Sequence, residues 1–252
     1  WRDAEIHYLK QVALDESAKE LYLKELTQQQ KQLSEDFSFI ATANIGGEFM
    51  GQESKDRLAQ LANITWQRHF DDRIGLSPIE ELNLSQRDTK ESYPVTEPLL
   101  RDKPEHIIKR INKVEFDPKF GVKMAIPEDQ YNLGELYNLS ISRGTLTTED
   151  RFKINEHVTS TIKMLENLPF PPELARVPRY ASTHHETLKG TGYPRKLSAE
   201  DLSIPERILV VADIFEALTA ADRPYKKAKP LSVAIDILYK MALDEHLDMD
   251  IF

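Results

Sequence analysis

His184-His185-Glu186-Thr187-Leu188-Lys189-Gly190-Thr191-Gly192-Tyr193-Pro194 is the stretch on which the reading of this chain turns. Two adjacent imidazoles fall near the end of a predicted helix that runs from about Glu173 or Val177 through Thr187. On a helix, neighbours point about 100° apart, so they cannot chelate one ion as an i, i+4 pair does. They address two metals, or one metal and a substrate phosphate, or they are only a polar helix end. Gly190 and Gly192 let the following turn take positive φ.

Working outward, a helix capped by Thr147 or Thr148 runs through Arg151 to Glu166 and carries His157; Pro169, Pro171 and Pro172 end it. Downstream, Ser203 to Ala220 reads as a helix with Pro205 tolerated in its first turn and Asp213 near its middle, and Leu231 to Leu243 reads as another. His157, His184, His185 and Asp213 thus lie on three successive predicted helices. Three imidazoles and a carboxylate are ligands for a hard or borderline divalent metal. His7, His106 and His246 lack such surroundings and read as surface or structural histidines.

The bulk properties narrow the classes. With 252 residues and 40% hydrophobic content, the chain is long enough for a real core. No apolar run approaches the roughly 18 to 20 residues that cross a bilayer. Zero cysteines exclude disulfides, thiolate nucleophiles and cysteine-ligated metal centres. A formal charge of -9 argues against polymeric nucleic acid as a partner, since phosphate neutralisation needs a net basic face. Small anions need only a local cation cluster, which Arg223, Lys226, Lys227 and Lys229 offer.

Upstream, Asp3 to Lys31 has helical apolar spacing without Gly or Pro and predicts one long amphipathic helix. Residues 1–50 are expected to serve as a connector or a homodimer contact. A second helix is predicted over Gln52 to Ile74, and a loop-rich insertion over about 85–140 with one short helix near Glu105 to Ile111. Strand signals are few, so the fold class expected is mostly α. The chain begins at Trp1, which reads as a fragment of a larger protein with an upstream sensory domain, cytoplasmic in itself and attached to a membrane elsewhere.

The quoted stretch resembles the HHExxxGxGYP signature of HD-GYP domains. Val210 to Thr219 looks like that family's metal-ligand aspartate helix, Asp222-Arg223-Pro224-Tyr225-Lys226 like its RPYK element, and Gly144-Thr145-Leu146-Thr147 followed by Glu156-His157 like its approach to another ligand histidine. The resemblance implies an HD-superfamily helical bundle over 51–252 carrying two or three metals, often iron or manganese, that hydrolyses cyclic di-GMP or a related cyclic dinucleotide such as cyclic GMP-AMP; with the upstream ligands missing, one or two ions are expected here. It implies His157, His184, His185 and Asp213 as metal ligands and Tyr193, Arg223 and Lys226 as substrate contacts.

The upstream part departs from that pattern. Ser54 stands in the helix where the family's HxxRV histidine is expected. The nearest echo of LLHDIGK is Leu99-Leu100-Arg101-Asp102-Lys103, with an arginine that cannot ligate. Asp102 and Lys103 are the remaining catalytic candidates there, and His69, Asp71 and Asp72 are possible substitutes. A non-catalytic module that binds a cyclic dinucleotide or a protein partner is the alternative function.

Overall fold

Asp15 interrupts what the apolar spacing reads as one helix. In the computed structural model, which describes residues 1–84, 92–221 and 228–252, helix α1 (Arg2–Leu14) stops where Asp15 is extended and its carboxylate accepts from the Ser17 N–H and hydroxyl, at 3.0 and 2.6 Å. Such side-chain bonds offer the backbone an alternative to the helix ladder. Helix α2 (Lys19–Ile45) folds back along α1, with Gln30 reaching Glu5, and continues well past the expected break at Phe37. It ends at Gly46, whose φ of 76° suits glycine.

The second predicted helix also ends early. Helix α3 (Gln52–Ala62) gives way to strand β1 (Thr65–Arg68), because Ile64-Thr65-Trp66 favours extended backbone. After α4 (Pro78–Leu84), strand β2 (Val95–Pro98) pairs antiparallel with β1, Thr65 opposite Pro98 and Arg68 opposite Val95. The short helix expected near Glu105 is a single 3-10 turn, Pro104–His106. It leads into β3 (Ile107–Lys109), which pairs antiparallel with β4 (Asp129–Asn132). Helix α5 (Glu135–Leu139) packs on α2 and α3.

The remaining helices are α6 (Thr148–Leu165), α7 (Val177–Ala181), α8 (Ile204–Thr219) and α9 (Leu231–Leu243). The architecture is mostly α, as expected. Ser203 and Glu206 form a reciprocal capping box at the start of α8, which fixes where that helix begins. Among the described residues no helix is long and apolar enough to cross a membrane.

The chain divides into two compact units: Trp1–Arg110 with Asp129–Glu149, and Ile111–Glu128 with Asp150–Phe252. In the first, Leu58 and Leu61 are buried on α3, and Arg68 is buried against Glu97. In the second, Val210, Leu238, Ala242 and Leu247 form one cluster where α8 meets α9. Phe120, Val158 and Ile162 form another, with Val122 and Tyr193 against it.

Candidate functional site

On α6 the buried residues Val158 and Ile162 are one turn apart and anchor the helix to the Phe120 cluster. His157, immediately before this seam, faces outward. Its Nδ1 lies 2.7 Å from the Ile154 carbonyl. A carbonyl only accepts, so Nδ1 carries a proton and Nε2 is the nitrogen left to ligate a metal. His184 is fixed the same way, with Nδ1 2.9 Å from the Ala181 carbonyl.

The helix expected to run through Thr187 ends at Ala181. The Ser182 and Thr183 hydroxyls bond back to the Arg179 carbonyl, and Thr183 also reaches that of Tyr180, so the chain leaves the helix in a tight turn. The two histidines therefore sit on a turn, and the 100° separation does not apply. Their ring centroids are 4.1 Å apart. Ligand nitrogens of His157, His184 and His185 all lie within 4.8 Å of one another, and His185 Nε2 is 3.3 Å from His157 Nε2.

Asp213, on α8, approaches His185 from the other side, its Oδ2 3.7 Å from Nδ1. Burial, then the neighbouring His184 and His157, push the His185 pKa down to about 4 against the opposing pull of Asp213. His185 is thus neutral at pH 7 and meets Asp213 as imidazole, not as an ion pair. Tyr193 lies over His185, with ring centroids 4.7 Å apart and planes 27° from parallel. Burial, then Asp213, push its phenol up to about 12.

Three imidazoles, two of them oriented by a carbonyl at Nδ1, fit a borderline divalent ion, and a carboxylate stands beside them. When bound, such an ion polarises a phosphodiester and lowers the pKa of bound water.

The turn after the histidines is held by Glu186, which is 1% exposed. Its two oxygens accept the backbone N–H groups of Arg195 at 2.7 Å and Leu197 at 2.9 Å. Burial raises its pKa, and those two bonds oppose the rise. A Cβ on Gly192 would stand 2.5 Å from Glu186 Cα and from the His185 carbonyl oxygen, so only glycine permits this approach.

Other sequence-predicted residues have partners within their own unit. Asp102 and Lys103 belong to the first unit. There Asp102 Oδ1 accepts the Tyr137 N–H at 3.2 Å and Lys103 Nζ pairs with Asp72 Oδ2 at 3.0 Å. Arg101 pairs with Glu97, which also holds Arg68 at 2.8 Å. His69 is exposed, Asp71 accepts from the Arg73 N–H, and Ser54 lines a largely apolar cavity with Phe39 and Leu139. Arg223 and Lys226 lie outside the described residues.

Sequence reading gave Glu186 no role and missed Arg195, Ser182 and Phe120. Arg195 donates from Nε to the Phe120 carbonyl and from Nη1 to Ser182 Oγ, both at 2.8 Å. A cation directly after the Gly192-Tyr193-Pro194 turn was the available signal.

The HD domain family is matched over residues 94–251, more than half of the sequence. The chain belongs to the HD domain family. It is 35% identical over 116 residues, 46% of this chain and 24% of the relative, to the 3'3'-cGAMP-specific phosphodiesterase 3 of Vibrio cholerae. Identity is 34% over 114 residues, 45% of this chain and 30% of the relative, to a cyclic di-GMP phosphodiesterase of Thermotoga maritima. It is 32% over 130 residues, 52% of this chain and 28% of the relative, to a cyclic di-GMP phosphodiesterase of Pseudomonas aeruginosa. The aligned part spans less than a third of the length of each of these curated relatives.

Proposed function

We propose that the chain is a metal-dependent phosphodiesterase that hydrolyses a cyclic dinucleotide, with His157, His184, His185 and Asp213 as ligands of iron or manganese. The observation that carries this reading is the His157–His184–His185 cluster, whose nitrogens lie within 4.8 Å of one another. The relatives named as cyclic di-GMP and 3'3'-cGAMP phosphodiesterases support the substrate class. In this reading Tyr193 flanks the reacting phosphodiester, and Arg223 and Lys226 grip its phosphates, Arg223 by a bidentate fork. Asp102 and Lys103 are auxiliary groups, so Asp102→Ala lowers turnover without abolishing it.

A second reading is favoured by a specific observation: Arg101, where a ligand histidine is expected, is engaged with Glu97. On that reading the chain is a module that binds a cyclic dinucleotide, or a protein partner, without cleaving it. Turnover of cyclic di-GMP and 3'3'-cGAMP with added Mn²⁺ separates the two. The hydrolase reading expects linear product in the wild type and loss of both metal and product in Asp213→Ala. Nucleotide binding without metal or product supports the module.

A further inference from the structure

Three segments of the second unit meet at one side chain that lies outside the ligand cluster. Arg195 is half-buried; its Nε donates to the Phe120 carbonyl, from the segment Ile111–Glu128, and its Nη1 donates to Ser182 Oγ, two residues before His184. Its own backbone N–H is held by Glu186 at 2.7 Å. Beside it the Lys123 N–H donates to the Pro194 carbonyl at 2.7 Å, and Phe120 packs in the cluster that includes Val158 and Tyr193. Val158 adjoins His157, Ser182 precedes His184 and His185, and Tyr193 lies on His185. His157, the histidine pair and Tyr193 are therefore tied, at one or two removes, to the same guanidinium. Ser182 is fully buried, so its end of that bond is not exchanged for water without loss.

We infer that Arg195 is a positioning residue: by bridging Phe120, Ser182 and the Gly190–Pro194 turn, it sets the spacing between the histidine pair, His157 and Tyr193. This rests on the metal-site reading above. A guanidinium suits the task because its planar fork donates in two fixed directions at once, which an ammonium cannot reproduce. The consequence is that ligand geometry depends on a residue that touches neither metal nor substrate. Groups bonded directly to a ligand typically change metal affinity by about 10- to 100-fold when removed, and a residue one contact further out falls at the low end of that range.

The test is Co²⁺ titration of the full chain, followed by its visible ligand-field absorption, for wild type, Arg195→Met, Arg195→Lys and Ser182→Ala, alongside kcat and KM with Mn²⁺. Arg195→Met keeps the stem and removes both donors, and is expected to weaken Co²⁺ binding by about tenfold, shift the absorption, and lower kcat with KM nearly unchanged. Arg195→Lys falls between it and wild type, and Ser182→Ala shows a smaller loss of the same kind. Wild-type Co²⁺ affinity, absorption and kcat in a folded Arg195→Met protein overturn the inference while leaving the metal-site reading intact. If Arg195→Met does not fold, Ser182→Ala decides, and wild-type values there overturn it. Failure of the wild type itself to take up Co²⁺ removes the metal-site reading and this inference with it.

Discussion

Tyr193 lies over the face of His185, with ring centroids 4.7 Å apart and planes 27° from parallel, so the turn that follows the two histidines folds back onto the second of them. The ring shields one side of His185 from water and contributes to the burial that keeps the imidazole neutral. Tyr193→Phe is expected to keep fold and metal content, because the stacked area is unchanged. Tyr193→Ala is expected to cost about 2–4 kcal/mol of stability and to weaken Mn²⁺ binding. Urea unfolding and metal titration of both variants check this.

Glu186 is the buried acceptor that shapes the same turn. Glutamine in its place keeps one acceptor oxygen and turns an amide NH2 toward a backbone N–H, so donor faces donor in a site 1% exposed. Glu186→Gln is expected to lose on the order of 2–3 kcal/mol, measured by urea denaturation. Because His184 and His185, the proposed ligands, stand just before this anchor, metal affinity should fall in the same variant.

The acid limit of stability should bear the mark of His185. Its pKa is depressed to about 4, so between pH 6.5 and about 4 the unfolded chain binds a proton that the folded chain refuses. The contribution is present above the unfolded pKa and is lost as pH falls through that window, on the order of 2–3 kcal/mol in the metal-free protein. His185→Gln should flatten this part of the stability profile, which urea midpoints at pH 4.5, 5.5 and 7 read directly. Persistence of the full slope in the variant would assign it to other groups.

How much of this was legible in the sequence depended on where the signal resides. The cluster of His157, His184 and His185 was legible because ligand chemistry lies in residue type, and the motif keeps those types within short spacings. Helix α9 was read with its observed bounds from apolar spacing. The break at Asp15 was not, because a two-residue carboxylate–serine contact decides it against an otherwise uninterrupted helical pattern. Strands of three or four residues carry too few alternations to be seen, so β1 to β4 were missed. Arg195 was invisible for a tertiary reason: its main-chain acceptor, the Phe120 carbonyl, lies 75 positions earlier.

In the first unit, the residues around the expected His-Asp position form an ion-pair network. Arg68 and Glu97 are 2% and 5% exposed, and Glu97 is shared with Arg101. Burial raises the Glu97 pKa, but Arg101 and Arg68 outweigh it and hold the carboxyl below its usual range. Arg68→Met would strip Glu97 of one partner in a dry setting and is expected to cost about 3–5 kcal/mol. Trp66, on the same strand, gives the fluorescence signal for the unfolding curve.

The three-histidine cluster is proposed above as a working metal centre. Its most direct test is elemental analysis of the purified chain, wild type and His185→Ala, with Mn²⁺-dependent turnover of cyclic di-GMP and 3'3'-cGAMP measured on the same samples. About one or more ions per chain and linear dinucleotide product are expected in the wild type, with both lost in His185→Ala although the variant stays folded. A wild type that binds the nucleotide but holds no metal and forms no product, or a His185→Ala protein with full turnover, would contradict it.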